Sequence, residues 1–477
     1  MAKFFIENFG CRATDADATA LRNALLDRGL QPWPEPSTAD IVVLNTCTVT
    51  AAADRQAREE IRKIHRANPS ATIVVTGCYA QRAPEEISGL EGVTWVVGNS
   101  RQHEIPGLAV RQNADGLVSL TELESTGMSL AHGPAKIITG DIFEQNTIAL
   151  PGTPAGHTSG QVVGERTRPI LKVQDGCNNR CAYCVIPLVR GRSRSLPADA
   201  VVSEARRLAA AGAKEIVLSG INLGSYGRDL SPRAELGTVV RRMLDETPVE
   251  HVRFSSIEPQ DVTEDFVTMV AGSERLAPHF HVPLQSGSNR ILRGMHRWYR
   301  AELYAQRIEL IRRKLPAAAI GADVIVGFPG ESAEDFAETA RFIEMLPLTY
   351  LHVFSFSTRP GTKAESMGDA VPYEAIRERA RELRALSAAK SAAFRQSQAG
   401  KLARALTLAR SGDNWTEALT RNYLKVQIAG RIAANEWREV VLTASENEVC
   451  RETGFSSVSA SVLENHLRQG QVAAVSD

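Results

Sequence analysis

Cys177, Cys181 and Cys184 fall within one short stretch, "DGCNNRCAYCVIP" from Asp175 to Pro187. Three thiolates in a turn-rich loop grip soft metals. Structural zinc prefers four closed ligands, usually from two CxxC-like pairs, and no neighbouring Cys or His completes such a set here. A [4Fe–4S] cluster with one iron left open suits the C-x₃-C-x₂-C spacing better, because thiolates hold these clusters and a vacant position permits ligand chemistry. A second set is dispersed. Cys11, Cys47 and Cys78 each end an apolar run, "KFFIENFGC", "ADIVVLNTC" and "ATIVVTGC". That is the strand edge at which open α/β sheets bind ligands, so the three thiols are expected to converge. The plainer alternative is three separate small hydrophobic thiols near strand ends. Cys450 reads as a structural or incidental thiol.

The elements that must position these cysteines follow from periodicity. In residues 1–110 the apolar runs alternate with helical stretches Asp15 to Arg28, Ala51 to Ala67 and Ala83 to Leu90, a βαβα pattern that predicts a parallel sheet covered by helices. Residues 111–165 lose the pattern and are rich in Gly, Pro, Thr and Ser, as a connection or mobile excursion would be; no chemistry is assigned to them. Across 166–398 strand and helix alternate six times, which predicts a partial (β/α)₆ barrel open on one side. The helices are expected near Ala198 to Ala211, Leu236 to Glu246, Thr263 to Ala271, Ser288 to Lys314, Ala333 to Met345 and Tyr373 to Gln398. Active sites of such barrels gather at strand C-termini, where this chain places Cys177, Asn222, Glu258, Gln285, Ser286, Gly327 and Ser357. Residues 399–445 alternate apolar and polar side chains between Gly or Asn turns, predicting a small antiparallel β-barrel. A weakly patterned tail, 446–477, follows. The fold class is thus α/β with an added small barrel.

The chain has 477 residues with 43% hydrophobic content, enough for about three domains. Its longest apolar runs, "IVVL" and "VIVGF", fall far short of the ~18 residues a membrane span needs. The start, "MAKFFIENFG", lacks the features of a signal peptide, so a cytoplasmic location without a membrane partner is expected. In that reducing setting seven cysteines point to metal or catalytic roles. Fifty-five basic residues balance 55 acidic ones, so any basic surface must be local.

The C-x₃-C-x₂-C loop, with Tyr183 before its last cysteine, resembles the radical S-adenosylmethionine (SAM) enzymes. "LKVQDGCNNRCAYCVIPLVRGRSRS", "VLSGINLGSYG", "RFSSIEP", "PLQSGSNRILRGMHRWY", "DVIVGFPGE" and "HVFSFSTRPGT", in this order, resemble the methylthiotransferase branch. The N-terminal cysteines after "FG", "NT" and "TG" resemble it too, except that Thr14 stands where the family commonly has Asn. The resemblance implies two [4Fe–4S] clusters, on Cys177, Cys181 and Cys184 and on Cys11, Cys47 and Cys78, the second serving as sulfur carrier or donor. It implies that SAM chelates the open iron of the first cluster and is cleaved to a 5′-deoxyadenosyl radical, with Tyr183 and Asn222 near it. Glu258 and Gln285 would meet its ribose or amino-acid end, the alternative being that they satisfy buried backbone groups. No catalytic residue beyond the clusters is implied. "GFPGE", superficially like a phosphate loop, would let backbone approach the adenine.

Enzymes of this branch modify adenosine 37 of tRNA or an aspartate of a ribosomal protein. Arg180, Arg190, Arg192 and Arg194 around the cysteine loop, and Arg290, Arg293, Arg297 and Arg300 further on, give the basic density that suits phosphate contacts; the alternative is a solvated, salt-bridged face. "EALTRNYLKVQI" resembles the RNA-binding TRAM module, with Asn422 and Lys425 as RNA contacts. The resulting expectation is methylthiolation of carbon 2 of N6-threonylcarbamoyladenosine 37 in tRNA, with an electron donor such as flavodoxin or ferredoxin. Isopentenyladenosine, a ribosomal protein, and a non-enzymatic iron–sulfur RNA-binding or redox protein are the alternatives.

Overall fold

The cysteine-terminated apolar runs build one parallel sheet. Its strands are β1 (Lys3–Asn8), β2 (Gln31–Pro32), β3 (Ile41–Thr46), β4 (Thr72–Gly77), β5 (Val93–Gly98) and β6 (Lys136–Ile138). The computed structural model describes residues 1–111, 135–149, 167–443 and 450–452. The strand order is β2-β1-β3-β4-β5-β6, so the three strands that end on cysteines are neighbours. All of β3 is buried, as expected of a central parallel strand with both faces covered. Ile61 and Ile64 of helix Ala51–Ala67 pack in the core on one side, and Leu21 and Leu25 of helix Arg12–Leu26 in the core on the other.

Much of the expected excursion, 112–134 and 150–166, lies outside the described residues, but its middle is not a bare connection. β6 adds a sixth strand beside β5. The chain then crosses to the central domain, where the side chain of Arg194 donates to the Thr147 carbonyl at 2.9 Å and to Gln145 Oε1 at 3.2 Å.

The central strands are β7 (Ile170–Lys172), β8 (Gln174–Asp175), β9 (Arg194–Ser195), β10 (Glu215–Ser219), β11 (His251–Phe254), β12 (His279–His281), β13 (Ala319–Val326) and β14 (Tyr350–Ser355). Two parallel sheets, β11-β10-β7 and β12-β13-β14, are joined by the parallel bridge Ser256–His281 into one open barrel. β8 and β9 form an antiparallel pair that brackets the cysteine loop. The helices Leu236–Glu246, Ala333–Met345 and Tyr373–Gln398 match expectation. The helix expected from Ser288 to Lys314 does not run unbroken: it is split into Asn289–Gly294 and Ala301–Lys314. Between them His296 takes a φ of 56°, and the intervening segment wraps the cysteine loop.

The C-terminal barrel closes in the order β15-β16-β17-β19-β18, from β15 (Leu402–Ser411), β16 (Trp415–Thr420), β17 (Lys425–Ala429), β18 (Trp437–Thr443) and β19 (Cys450–Glu452). Its fifth strand lies beyond the boundary expected at 445 and pairs in parallel with β17, so the barrel is antiparallel except at this seam. Cys450 is fully buried in its core, where a small apolar thiol packs well. Residues 446–449 and 453–477 of the expected tail lie outside the described residues.

This small barrel docks where the central strands begin. Tyr423 stacks on His279 at 4.0 Å, and the Arg253 guanidinium lies 5.3 Å from the Tyr423 ring. Arg253, fully buried, is held by Glu215 and donates to the Thr420 carbonyl. Asn435 Nδ2 donates to the Gly212 carbonyl at 2.7 Å. The cysteine loop sits at the opposite end of the strands.

Candidate active site between two cysteine sets

Cys11 precedes helix Arg12–Leu26, Cys47 follows β3, and Cys78 opens the short helix Cys78–Arg82 directly after β4. Two glycines make this close approach feasible. At Gly10 a Cβ would lie 2.9 Å from Cys47 Cβ, and at Gly77, with φ +96°, a Cβ would lie 2.3 Å from the Thr46 carbonyl oxygen. Thr14, the departure from the family's Asn, is fully buried and donates to the Cys11 carbonyl at 2.7 Å; Asn45 Nδ2 donates in turn to the Thr14 carbonyl at 2.8 Å. A hydroxyl thus does the loop-closing work at this position. Burial, with Cys78 and Cys11 close by, pushes the Cys47 thiol up to about 12. Burial also raises Cys78, opposed by Arg190 and added to by Cys11.

The second set lies across a domain contact. Cys78 packs with Val185 and Val189, which flank the end of the C-x₃-C-x₂-C loop, and Asn99 Nδ2 donates both to the Val189 carbonyl at 2.9 Å and toward Cys78 Sγ at 3.5 Å. Within the loop, burial and the neighbouring Cys181 push Cys184 up to about 12. Burial raises Cys177 as well, while the Asn179 N–H donates to its sulfur at 3.4 Å. Asn222 Nδ2 lies 4.0 Å from Cys177 Sγ, and Asn222 Oδ1 is buried without a hydrogen-bond partner.

A cavity of about 200 Å³ opens beside Cys184, with Val49 and Thr50, just past Cys47, on its wall. Thr50 comes to it from the N-terminal domain, Tyr183 and Cys184 from the loop, and Gln285, Asp323 and Ser355 from the barrel strands. Gln285 has φ 66°, an uncommon backbone state that tends to occur at ligand sites. Glu258 is turned toward Arg297, which binds its carboxylate and donates through Nη1 to Cys181 Sγ at 3.3 Å. Burial pushes the Glu258 carboxyl up and Arg297 pulls it back.

Thiols that burial pushes toward the neutral form, Cys47 and Cys78 in one set and Cys177 and Cys184 in the other, match a soft metal group whose charge would stabilise thiolates. No fourth Cys or His closes either set among the described residues. The donors therefore fit iron–sulfur groups with an open position.

Sequence patterns support the same division. The pattern described as "Uncharacterized protein family UPF0004" matches residues 3–98, and that of the Radical SAM superfamily matches residues 171–343. A threonylcarbamoyladenosine tRNA methylthiotransferase MtaB of Aquifex aeolicus is 36% identical over 428 residues, which is 90% of this chain and 97% of that protein. The chain belongs to the radical-SAM tRNA methylthiotransferase family. The family also includes a tRNA-2-methylthio-N(6)-dimethylallyladenosine synthase of Syntrophobacter fumaroxidans, 36% identical over 78% of this chain and 77% of that protein. The radical SAM methyltransferase TsrM of Kitasatospora setae, solved with cobalamin and a [4Fe–4S] cluster, shares the fold at TM-score 0.53 and 16% identity, over 76% of this chain and 74% of its own. Membership makes the chain an enzyme that uses SAM, a [4Fe–4S] cluster and tRNA. Among the described residues no helix is long and apolar enough to cross a membrane.

Against this frame of family residues, the expected RNA contacts divide. Arg190 and Arg194 are buried, so the expectation that they meet RNA is corrected. Arg190 bonds Asp17 at 2.9 Å and Asp175 at 3.1 Å, Arg194 bonds Asp175 at 3.1 Å, and Lys172 bonds both aspartates. Burial works against these charges, but the three cations hold Asp175 well below the usual carboxylate range. The network fastens the N-terminal helix to the barrel edge. Asn422 is also committed inward, donating to the Ala317 carbonyl at 3.0 Å across the domain contact. Arg192 and Lys425 remain exposed. Arg290 binds Asp335.

The sequence reading missed Arg297 as a partner of a cysteine sulfur, counting it only among basic residues. It also missed the trio, buried at His281 and exposed at His352, in which the rings of His281 and His352 bond Asp323 Oδ1 at 2.9 and 3.2 Å. Their alternation on adjacent strands could have signalled that they share the inner face.

Proposed function

We propose that this enzyme adds a methylthio group to carbon 2 of N6-threonylcarbamoyladenosine 37 of tRNA. Two iron–sulfur groups serve it, one on Cys177, Cys181 and Cys184 and one on Cys11, Cys47 and Cys78. The observation that supports this reading is the cavity walled by Tyr183 and Cys184 of the loop and by Val49 and Thr50, which lie just past Cys47, so that a base extruded there would lie close to both domains' cysteine-bearing loops. When bound, the first group supplies the electron that cleaves SAM and the second carries the sulfur. Carbon 2 lies in an aromatic ring and has no acidic proton, so a side-chain base would not activate it, and none is assigned.

The chain's own part is to place and shelter these reactants. Tyr183 and Gln285 wall the cavity, and Asn222 offers an unpartnered amide oxygen beside Cys177. Arg297 orients Glu258 and supports Cys181. Phe354 and Phe356 complete an apolar wall that restricts water. The Aquifex relative, 36% identical over 90% of this chain, favours the threonylcarbamoyl substrate over the dimethylallyl one, for which a relative of like coverage is 30% identical. An external one-electron donor completes the system.

The test is nucleoside mass spectrometry of tRNA incubated with the reconstituted enzyme, SAM and reductant. 2-Methylthio-N6-threonylcarbamoyladenosine is the expected product. Exclusive methylthiolation of isopentenyladenosine would overturn the substrate assignment.

A further inference from the structure

The break in the helix expected from Ser288 to Lys314 exposes a surface that the reaction at the cavity does not use. After Gly294 the chain turns onto the cysteine loop. The Ala182 N–H donates to the Met295 carbonyl at 3.0 Å, and the His296 ring meets the Arg180 carbonyl at 3.2 Å. Arg297 reaches in to the Cys181 sulfur. The next residue, Trp298, points out, and 74% of it is exposed.

Cations surround this indole in the chain and across the loop. Arg180 adjoins Cys181, Arg293 and Arg300 flank the turn, and all three are exposed. No ion pair or side-chain hydrogen bond engages their guanidinium groups among the described residues. The Lys363 ammonium adds a fourth charge, 3.1 Å from His296 Nε2. The carboxylates of these stretches are already engaged, Glu258 with Arg297, Glu302 with Asn289 Nδ2 and Glu365 with the Gly361 N–H.

We propose that the face around Trp298 docks an acidic, one-electron carrier protein bearing a flavin or an iron–sulfur group, which reduces the site at Cys177, Cys181 and Cys184. The inference rests on the radical-SAM reading above and names the partner of that site. One electron leaves the carrier, which is oxidised by one equivalent. It is consumed when the sulfonium S–C bond of SAM breaks to give methionine and a 5′-deoxyadenosyl radical; no proton moves.

Four features favour a protein carrier over RNA on this face. Trp and Arg are the side chains that most often dominate protein interfaces, and clustered unpaired cations steer an acidic partner. The route from surface to sulfur is short, since Trp298 is bonded in the chain to the residue that touches Cys181 Sγ. None of Arg180, Arg293, Trp298, Arg300 and Lys363 lines the cavity that would receive the base.

The test compares reconstituted wild type, Trp298→Ala and the double variant Arg293→Glu/Arg300→Glu. SAM cleavage is driven either by reduced flavodoxin or by dithionite, and binding of oxidised flavodoxin and of tRNA is measured directly at two salt concentrations. Flavodoxin-driven cleavage and flavodoxin affinity should each fall about tenfold, with a flatter salt dependence in the double variant, while dithionite-driven cleavage and tRNA affinity stay within about twofold. Equal losses under both reductants would make these residues structural supports of the site and overturn the proposal. Weakened tRNA binding with unchanged flavodoxin binding would overturn it in favour of an RNA contact. A wild type that cleaves SAM normally yet leaves threonylcarbamoyladenosine unmodified would refute the substrate reading alone.

Discussion

Cys47 and Cys181 occupy matched places in the two sets but stand in different surroundings. Cys47 is buried just past a strand end near Cys78 and Cys11, whereas Cys181 accepts a hydrogen bond from the Arg297 guanidinium. Replacing each by Ala separates the two tasks proposed for them. Cys181→Ala should abolish both 5′-deoxyadenosine formation and tRNA methylthiolation. Cys47→Ala should retain the first and lose the second, measured by chromatography of nucleosides from one reaction mixture. Methylthiolated tRNA from the Cys47 variant would remove the N-terminal set from the mechanism. The placement of these thiols just past strand ends and in one short loop was legible from residue type and position. Arg190 was misread because a buried and an exposed arginine look alike in sequence; only its partners, Asp17 far upstream and Asp175, decide the matter. Charge runs report composition, while burial is set by which distant carboxylates fold against them.

Elements were legible where periodicity alone decides them. Helices Leu236–Glu246 and Ala333–Met345 have clear apolar faces, and the latter carries a capping box from Ser332 and Asp335. The breaks were not legible, because they serve tertiary contacts: Met295 to Arg300 leaves the helix to hold the cysteine loop, at the cost of a left-handed His296. β19 was missed for a similar reason, being three residues long and stabilised only by closing a barrel. Strand ends are equally constrained at Gly77. A methyl group there would collide with the Thr46 backbone in a conformation that L-residues rarely adopt. Gly77→Ala should therefore displace Cys78 and leave the purified, reconstituted enzyme with about half the iron of the wild type, on the expectation of two four-iron groups. Cleavage of SAM should survive. Iron and methylthiolation at wild-type levels would contradict the geometry given to the N-terminal set.

At the level of the whole molecule, three domains are held together by buried polar contacts, and these make the assembly sensitive to acid. Burial, with Arg253 nearby, depresses His279 well below the usual imidazole range, and burial also lowers His251 against the pull of Glu215. Both rings are neutral in the folded protein, whereas the unfolded chain protonates them near ~6.5. Below that pH the unfolded state binds more protons, so stability is fully present above it and declines as pH falls toward the depressed folded values. The melting temperature should drop between pH 7.5 and 5.5, and His279→Gln should lessen the drop even if it lowers the starting value. An unchanged pH slope in that variant would show that the ring is not the sensor. The same contact sets a limit on any truncation: removing the C-terminal barrel would bare His279, Tyr350 and Arg253, so a surface change such as Lys425→Glu is the cleaner probe of RNA binding. The separation of the two ends has one more effect. The eight residues of β13 span ~26 Å at ~3.3 Å each, and they stand between the cysteine loops and the small barrel. An RNA touching both must be at least that long, which makes the protein a caliper. A hairpin with a full anticodon stem should lose affinity when Lys425 is reversed in charge, whereas an isolated loop oligonucleotide, too short to reach, should bind wild type and variant alike.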